Sequence, residues 1–392
     1  ISVFVEPLSR EFGWSRTAIS GAVTLATVGC AILSPLLGVL LDRYGPRLIM
    51  VLATIVLGAA LAATALVETL PQFYVTFGLA RVMAMGVISL ACTVVAANWF
   101  VRRRGRAIAI ALLGESVGLA TIPLAAQLIL NAFGWRVAWL ALAIMVWAVL
   151  LLPAALLLRR RPEDMGLRPD GILSPSMDSG PAAGVSKEPV EGWSLGQAAR
   201  TPALWMVLLA VSLAGMTSAG ITVHLVAFLT DNAMSSALAA AVVSVYALST
   251  GAGRLFWGFL AERIPIRLCL IGTLLSTALG AGLLLVVGGL PVALAYAVVF
   301  GFGIGGTSTV EPVLWADYFG RASLGKIQGF TKLFRWGANA AGPLLAGLAY
   351  DLAGGYFAAF AAFGLALALS GGLVVFARPP RAPAPKALAP SA

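Results

Sequence analysis

The sequence predicts an all-α integral membrane protein, a bundle of about a dozen spanning helices. Three observations carry this. Of 392 residues, 60% are hydrophobic and only 11% charged, with a mean hydropathy of +0.95; soluble domains carry about a quarter charged residues and need that polar cover. The apolar residues gather in long runs, matching the ~20 residues that a spanning helix requires. Strict apolar/polar alternation, the mark of a membrane β-barrel, is absent.

Runs broken by Arg, Gly and Pro place helices at about 17–41, 47–68, 72–98, 106–130 and 136–158, and again at about 203–230, 235–260, 267–288, 291–315, 325–350 and 355–377. The opening Ile1-Ser2-Val3-Phe4-Val5 is apolar but too short to cross, and lacks the basic start and cleavage site of a signal peptide. It reads as the end of a truncated first helix. The expected division is an N-terminal six-helix half over 1–158, a cytoplasmic linker over 159–202, a C-terminal half over 203–377 and a tail over 378–392. The linker opens with Arg159-Arg160-Arg161-Pro162-Glu163-Asp164, turns Gly/Ser/Pro-rich around 174–186, and reads as flexible. The tail holds Pro379, Pro380, Pro383, Pro385 and Pro390 and reads as disordered.

The net charge is +10, and its distribution is a topology signal. Arg43, Arg47, the Arg102–Arg106 cluster, the linker, Arg263, Arg267, Arg321, Lys326 and the tail all fall on one side. The other side holds Arg10, Arg16 and Arg136. The basic side is expected to be cytoplasmic, which leaves no reason to invoke nucleic acid. Cys30, Cys92 and Cys269 lie in apolar stretches without ligand spacing, so they read as packing residues; no metal and no cofactor are expected.

The chain repeats itself at an offset of 220. Gly38-x-Leu40-x-Asp42-Arg43-x3-Arg47 recurs as Gly258-x-Leu260-x-Glu262-Arg263-x3-Arg267, Pro123-Leu124-x-Ala126-x-Leu128 as Pro343-Leu344-x-Ala346-x-Leu348, and Gly134 as Gly354. A constant offset with shared topology implies two parallel halves about an axis along the membrane normal. It also places the start of the first helix about 17 residues before Ile1.

Gly38-Val39-Leu40-Leu41-Asp42-Arg43-Tyr44-Gly45-Pro46-Arg47 resembles the signature loop of the major facilitator superfamily. Phe12-Gly13-Trp14-Ser15-Arg16, Trp99-Phe100-Val101-Arg102-Arg103-Arg104-Gly105, Arg161-Pro162-Glu163-Asp164-x-Gly166-Leu167-x-Pro169-Asp170-Gly171 and Gly253-Arg254-Leu255 are similar to its monocarboxylate-transporter and oxalate/formate-antiporter branch. The resemblance implies a 12-helix bundle of two six-helix halves, with spans three, six, nine and twelve as outer supports. It makes the loops with Gly38, Asp42, Arg43, Gly45 and Arg47, and with Gly258, Glu262 and Arg263, gating latches; as residues they serve equally as topology anchors. Asp42 suits pairing with an arginine or a helix N-terminus.

Ionisable groups at bilayer depth cost on the order of 3 kcal/mol each on insertion scales and mark function. They are Arg81, Glu115, His224, Arg254, Glu311, Lys332 and Arg335, and the outer spans contain none. The resemblance makes Arg254 a substrate arginine, suited to grip a carboxylate through its guanidinium fork; a structural arginine is the alternative. It likewise sets Arg335 against a second carboxylate, with Lys332 one turn nearer the cytoplasm. Arg81 is a further substrate candidate by the resemblance, although the family's fourth-helix Arg-x3-Gly is shifted here, Arg81 being followed by Gly86. The offset makes Glu115 and Arg335 equivalent, so they are expected to pair, with a different partner for Glu115 as the alternative. Glu311, before Pro312, reads as a proton-coupling carboxyl or as the partner of Lys332 or Arg335. His224 reads as a titrating group or as a packed, hydrogen-bonded side chain.

The expected function is a secondary carrier of small organic anions, mono- or dicarboxylates, working by alternating access with protons or exchanged anions. An exporter of drugs or other small molecules is the alternative in the same class, and a membrane receptor or sensor the alternative outside it. No phosphate-binding Gly-x4-Gly-Lys-Ser/Thr loop, His-Glu-x-x-His or Ser/His/Asp set supports a pump or an enzyme. The expected partners are the anion, protons and the bilayer, with the protein a monomer in a bacterial inner membrane.

Overall fold

The computed structural model describes residues 2–159, 161–167, 169–171 and 192–380, which fold as a bundle of long helices. The first eleven residues described form α1 (Ser2–Phe12), closed by Gly13 at φ +69. Ser15 then caps α2 (Arg16–Tyr44), its hydroxyl accepting from the Ala18 amide at 3.1 Å. Gly45 ends α2, and Pro46 starts α3 (Pro46–Thr64), where its missing N–H costs nothing. Thr69 and Gln72 form a capping box before α4 (Leu70–Arg81), which continues through a π-helical turn at Val82–Ile88 into α5 (Ser89–Trp99). Such turns widen a helix by one residue and re-aim its side chains.

The stretch Arg104–Val146, α6, holds two of the spans expected from the sequence. It reverses at Gly134, whose φ of 85° and ψ of 169° no L side chain adopts readily. Its repeat partner Gly354 also has a positive φ, 70°, so the repeated glycines serve repeated turns. A second π turn at Trp147–Leu151 leads into α7 (Leu152–Leu156). After the linker and its short α8 (Leu195–Ala198) come α9 (Pro202–Asp231), α10 (Ser236–Leu260), α11 (Ile266–Leu285), α12 (Leu290–Phe319), α13 (Leu324–Ala353) and α14 (Phe357–Phe376). Nine helices among the described residues are long and apolar enough to cross a membrane. With α6 turning at Gly134, and with the more polar α13 at 30 residues, they account for the eleven spans expected.

The helices before and after the linker meet through α2 against α13 and α6 against α10. These are one contact made twice. Gly38 on α2 lies against Gly325 and Gly329 on α13, and Gly258 on α10 against Gly105 on α6; a Cβ at Gly38 or Gly105 would run into the facing carbonyl oxygen. The offset of 220 maps Gly38 onto Gly258 and Gly105 onto Gly325. Without side chains the backbones approach closely, as membrane helices without a hydrophobic driving force require. Cys30 and Cys269 are buried and Cys92 half-buried, all three free thiols.

The described parts of the linker are packed against the helices. Asp170 turns its carboxylate onto the amides of Val101, Arg102 and Arg103 at 3.2, 2.9 and 3.3 Å. Glu163 accepts from Arg321 at 2.9 Å, and Trp193 donates its amide to Phe319 at 2.8 Å. Acids beside an arginine-rich face supply partners that composition alone does not register. The Gly/Ser/Pro-rich stretch at 174–186 and the tail from 381 lie outside the described residues.

Candidate functional site

The site begins at the arginine-rich ends of the helices. Asp42, at the end of α2, accepts from the amides of Gly325 and Lys326 at 3.0 and 2.9 Å, the first turn of α13. Glu262 accepts from the Arg106 amide at 2.9 Å and from Arg106 Nε at 2.6 Å, the first turn of α6. Each acid satisfies helix-start amides that have no partner inside their own helix and meets the positive end of the helix dipole. Of the two partners expected for Asp42, these bonds go to the helix N-terminus. Arg104 pairs with Asp317, and Arg321 donates to the Asn98 carbonyl at 2.7 Å. Of the remaining latch residues, Arg43 lies over the Tyr44 ring, Arg47 reaches the Ala155 carbonyl at 2.6 Å, and Arg263 is exposed.

Above this closed face, α5, α6, α10, α12 and α13 enclose a cavity of about 240 Å³. Spans three, six, nine and twelve contribute nothing to its lining, as their lack of interior charge implies. Five of the ionisable residues read from the sequence line it: Glu115, Arg254, Glu311, Lys332 and Arg335.

Arg254 is held on three sides. Its guanidinium donates to the Leu112 carbonyl, to Ser116 Oγ at 2.8 Å and to Glu115 at 3.1 Å, while its Nε is buried without a partner. Arg335 pairs instead with Glu311, whose other oxygen accepts from Trp315 Nε1 at 3.3 Å. The expected Glu115–Arg335 pair is therefore not formed. The reason is the helix pairing: α6 packs on α10 and α13 packs on α2, so repeat-equivalent residues face each other across the cavity rather than touch. The two pairs also differ in solvation, Glu115 being 51% exposed and Glu311 4%. Lys332 forms no salt bridge and no side-chain hydrogen bond among the described residues, although it lies one turn from Arg335.

Two residues stand apart. Arg81, expected to meet substrate, ends α4 just before the π turn and does not line the cavity; its carbonyl accepts from Cys30 Sγ at 4.0 Å, and its guanidinium has no ion pair among the described residues. His224 lies 22 residues along α9, roughly 33 Å from its start by helical rise. There it is packed against α13 and Tyr356, with ring nitrogens 3.0 Å from the Pro343 carbonyl and 3.1 Å from the Tyr356 hydroxyl. Of its two readings, the hydrogen-bonded one matches this geometry.

The sequence reading missed the neutral polar groups of the cavity, among them Thr93, Gln328, Thr331 and Asn339. A signal existed for those on α13. Gln328, Thr331, Lys332, Arg335 and Asn339 recur at the three- and four-residue steps of one helix face, a polar stripe inside an apolar span. Of the aromatics, Trp336 lines the cavity with Trp315. Trp205 packs on Phe330 and Phe334, and Trp257 on Phe302.

The Major Facilitator Superfamily model matches residues 1–232 and again residues 207–392, so both sets of helices fit it. The chain belongs to the major facilitator superfamily. Human monocarboxylate transporter 11 is 27% identical over 376 residues, 93% of this chain and 74% of its own length. The oxalate:formate antiporter of Oxalobacter formigenes is 25% identical over 271 residues, 67% of this chain and 59% of its own. Among solved structures, the human organic anion transporter MFSD10 superposes with a TM-score of 0.70 at 18% identity, covering 94% of this chain and 88% of that one, a likeness of fold. This facilitator is thus a multi-pass integral membrane protein of a transporter family.

Proposed function

We propose that this facilitator is a secondary carrier of small organic anions, mono- or dicarboxylates. One observation carries the reading: around the cavity, three cations face two carboxylates, and the cation left over is Lys332. A positive charge without a counter-ion at bilayer depth is costly, and a carboxylate entering beside Lys332 supplies it. A cationic substrate would instead need an acid free to meet it, and both acids are engaged. The cavity volume of about 240 Å³ lies below the ~300–1,000 Å³ of drug-sized pockets, which favours a small metabolite over a drug. The relatives' carboxylate names agree with this choice.

In mechanism, the carrier stands closed on its basic, cytoplasmic face. Every hydrogen bond described between the two helix sets lies at the level of Arg254 or on its basic side. An anion entering from the opposite side meets Arg254, and its carboxylate competes with Glu115 for the guanidinium fork. Glu115, half exposed, is the acid that the incoming carboxylate displaces from Arg254. Glu311, desolvated and held by Arg335 and Trp315, keeps its pair. Proteoliposome uptake of formate, acetate, lactate, oxalate and succinate, with and without a pH gradient, tests the reading. Uptake of at least one, reduced tenfold or more in Lys332→Gln, is expected. No carboxylate uptake alongside uptake of a cation or a neutral drug overturns it.

A further inference from the structure

The cytoplasmic floor of the cavity is closed by a neutral pair. Thr93 Oγ1 on α5 lies 3.0 Å from Gln328 Oε1 on α13 and 2.9 Å from the Leu90 carbonyl of its own helix, so one buried hydroxyl proton is shared between the two acceptors. It is one of the few side-chain bonds joining the two helix sets, and it lies directly below the charged groups. Gln328 is 2% exposed, yet its Nε2 has no hydrogen-bond partner among the described residues. A buried amide donor without an acceptor is costly, and this one borders a cavity that a ligand can enter. Gln328 lines the same cavity as Lys332, four residues on and therefore on the same face of α13.

We infer that Gln328 is a substrate-binding residue that also couples occupancy to the floor: its Nε2 donates to the anion held by Lys332, and its Oε1 holds the cavity closed through Thr93. The inference rests on the anion reading above and adds to it. The physical basis is that one amide group serves two partners. A carboxylate oxygen that captures Nε2 draws the amide plane toward Lys332, and the same rotation lengthens the bond from Thr93. Occupancy thereby weakens the floor on the side through which the substrate must leave. A lysine alone neutralises charge without direction, because its ammonium is a rotating point charge. The amide supplies the directional donor and selects a ligand presenting an acceptor at that depth.

The test uses the full chain in nanodiscs, with spin labels at the exposed positions Leu48 and Leu268, near the starts of α3 and α11. Binding is read from tryptophan fluorescence, since Trp315 and Trp336 line the cavity. Oxalate and lactate are the probes. The otherwise wild-type protein should bind at least one, and binding should broaden the 48–268 distance distribution toward longer values. Gln328→Glu keeps an acceptor for Thr93 but loses the donor and sets a negative charge beside Lys332; its affinity should fall at least tenfold while the empty protein stays closed, and Gln328→Met separates the lost donor from the added charge. Gln328→Met, close in volume and apolar, should lose both functions. Thr93→Val, which frees the amide from the floor, should bind the probe at least as tightly as the wild type and show the longer distances without ligand. Wild-type affinity and response in both Gln328 variants overturn the inference while leaving the anion reading intact. Failure of the wild type to bind either probe, or any other carboxylate of the panel, overturns both. An unchanged empty distribution in Thr93→Val removes the coupling, leaving only the binding role.

Discussion

Asp42 and Glu262 stand 220 residues apart and do the same thing: each crosses to the other set of helices and accepts hydrogen bonds at the first turn of a long helix, at 2.9 Å from the Lys326 amide and 2.9 Å from the Arg106 amide. The two receiving residues are themselves related by the repeat. The closed face is therefore symmetric, with Gly38 against Gly325 and Gly258 against Gly105 beside the two acids.

Gly38→Val and Gly258→Val should therefore fail in the same way. Either side chain collides with its facing helix and holds the basic face apart. Membrane insertion should be unchanged, while uptake in proteoliposomes falls at least tenfold for both. Gly78→Ala is the control, since a Cβ there meets nothing within 4 Å. Normal uptake in either valine variant would show that this close approach is dispensable.

Arg335 and Glu311 should behave as a coupled pair in unfolding. Arg335→Gln leaves Glu311 buried without its cation, a loss of about 3–5 kcal/mol for a broken buried pair. Adding Glu311→Gln should recover part of that, giving an interaction energy of about 0.5–3 kcal/mol in a double-mutant cycle. The Glu115→Gln/Arg335→Gln combination should be additive to within about 0.5 kcal/mol, since these two do not touch. Denaturant unfolding in detergent measures both cycles, and strong coupling in the second would restore the Glu115–Arg335 pairing.

Arg254→Lys should separate charge from geometry. Lysine keeps the positive charge but cannot reach the Leu112 carbonyl, Ser116 and Glu115 together. Expression should hold while the affinity for the best carboxylate of the panel drops tenfold or more. Equal affinity would reduce Arg254 to a structural tie.

Acid should weaken the mouth opposite the latch. Hydrogen bonds from Trp135 and then from Arg136 hold the Glu11 carboxyl below its ordinary value, at a site outside the apolar spans. A depressed carboxyl stabilises the fold above its unfolded pKa, ~4.3, and loses that contribution as pH falls through the lower folded value. The thermal midpoint of the wild type should exceed that of Glu11→Gln by a constant amount from pH 8 to about pH 5. Below that, the difference should shrink toward zero. A gap that persists unchanged to pH 3 would mean that Glu11 acts through packing alone.

Charge placement made much of the cavity readable in advance. Arg254, Lys332, Arg335, Glu115 and Glu311 were visible because a charged residue inside an apolar run is rare and costly. Thr93 and Gln328 were not, because a threonine or a glutamine within a span is common and cheap when it bonds to its own helix. The pairing was likewise hidden: the repeat identifies which residues are equivalent, but equivalence across a twofold axis places them opposite each other, and contact depends on which helices pack together. The same limit applies to the linker, where Asp170 and Glu163 read as solvated charges until the arginine-rich helix ends are brought beside them.

By itself, then, the amino-acid sequence determined that this chain lies in a membrane, where its helices run, which side carries the basic loops and that its two sets of helices are copies. Each of these follows from one-dimensional quantities: the length of apolar runs, the positions of Arg and Lys, and a constant offset. Only the tertiary structure decided that Glu115 holds Arg254 while Glu311 holds Arg335, that Lys332 has no salt bridge among the described residues, and that Gln328 meets Thr93 across the two sets of helices. Those depend on which side chains come within hydrogen-bonding distance between helices, and close glycine contacts set that packing where no one-dimensional quantity records it.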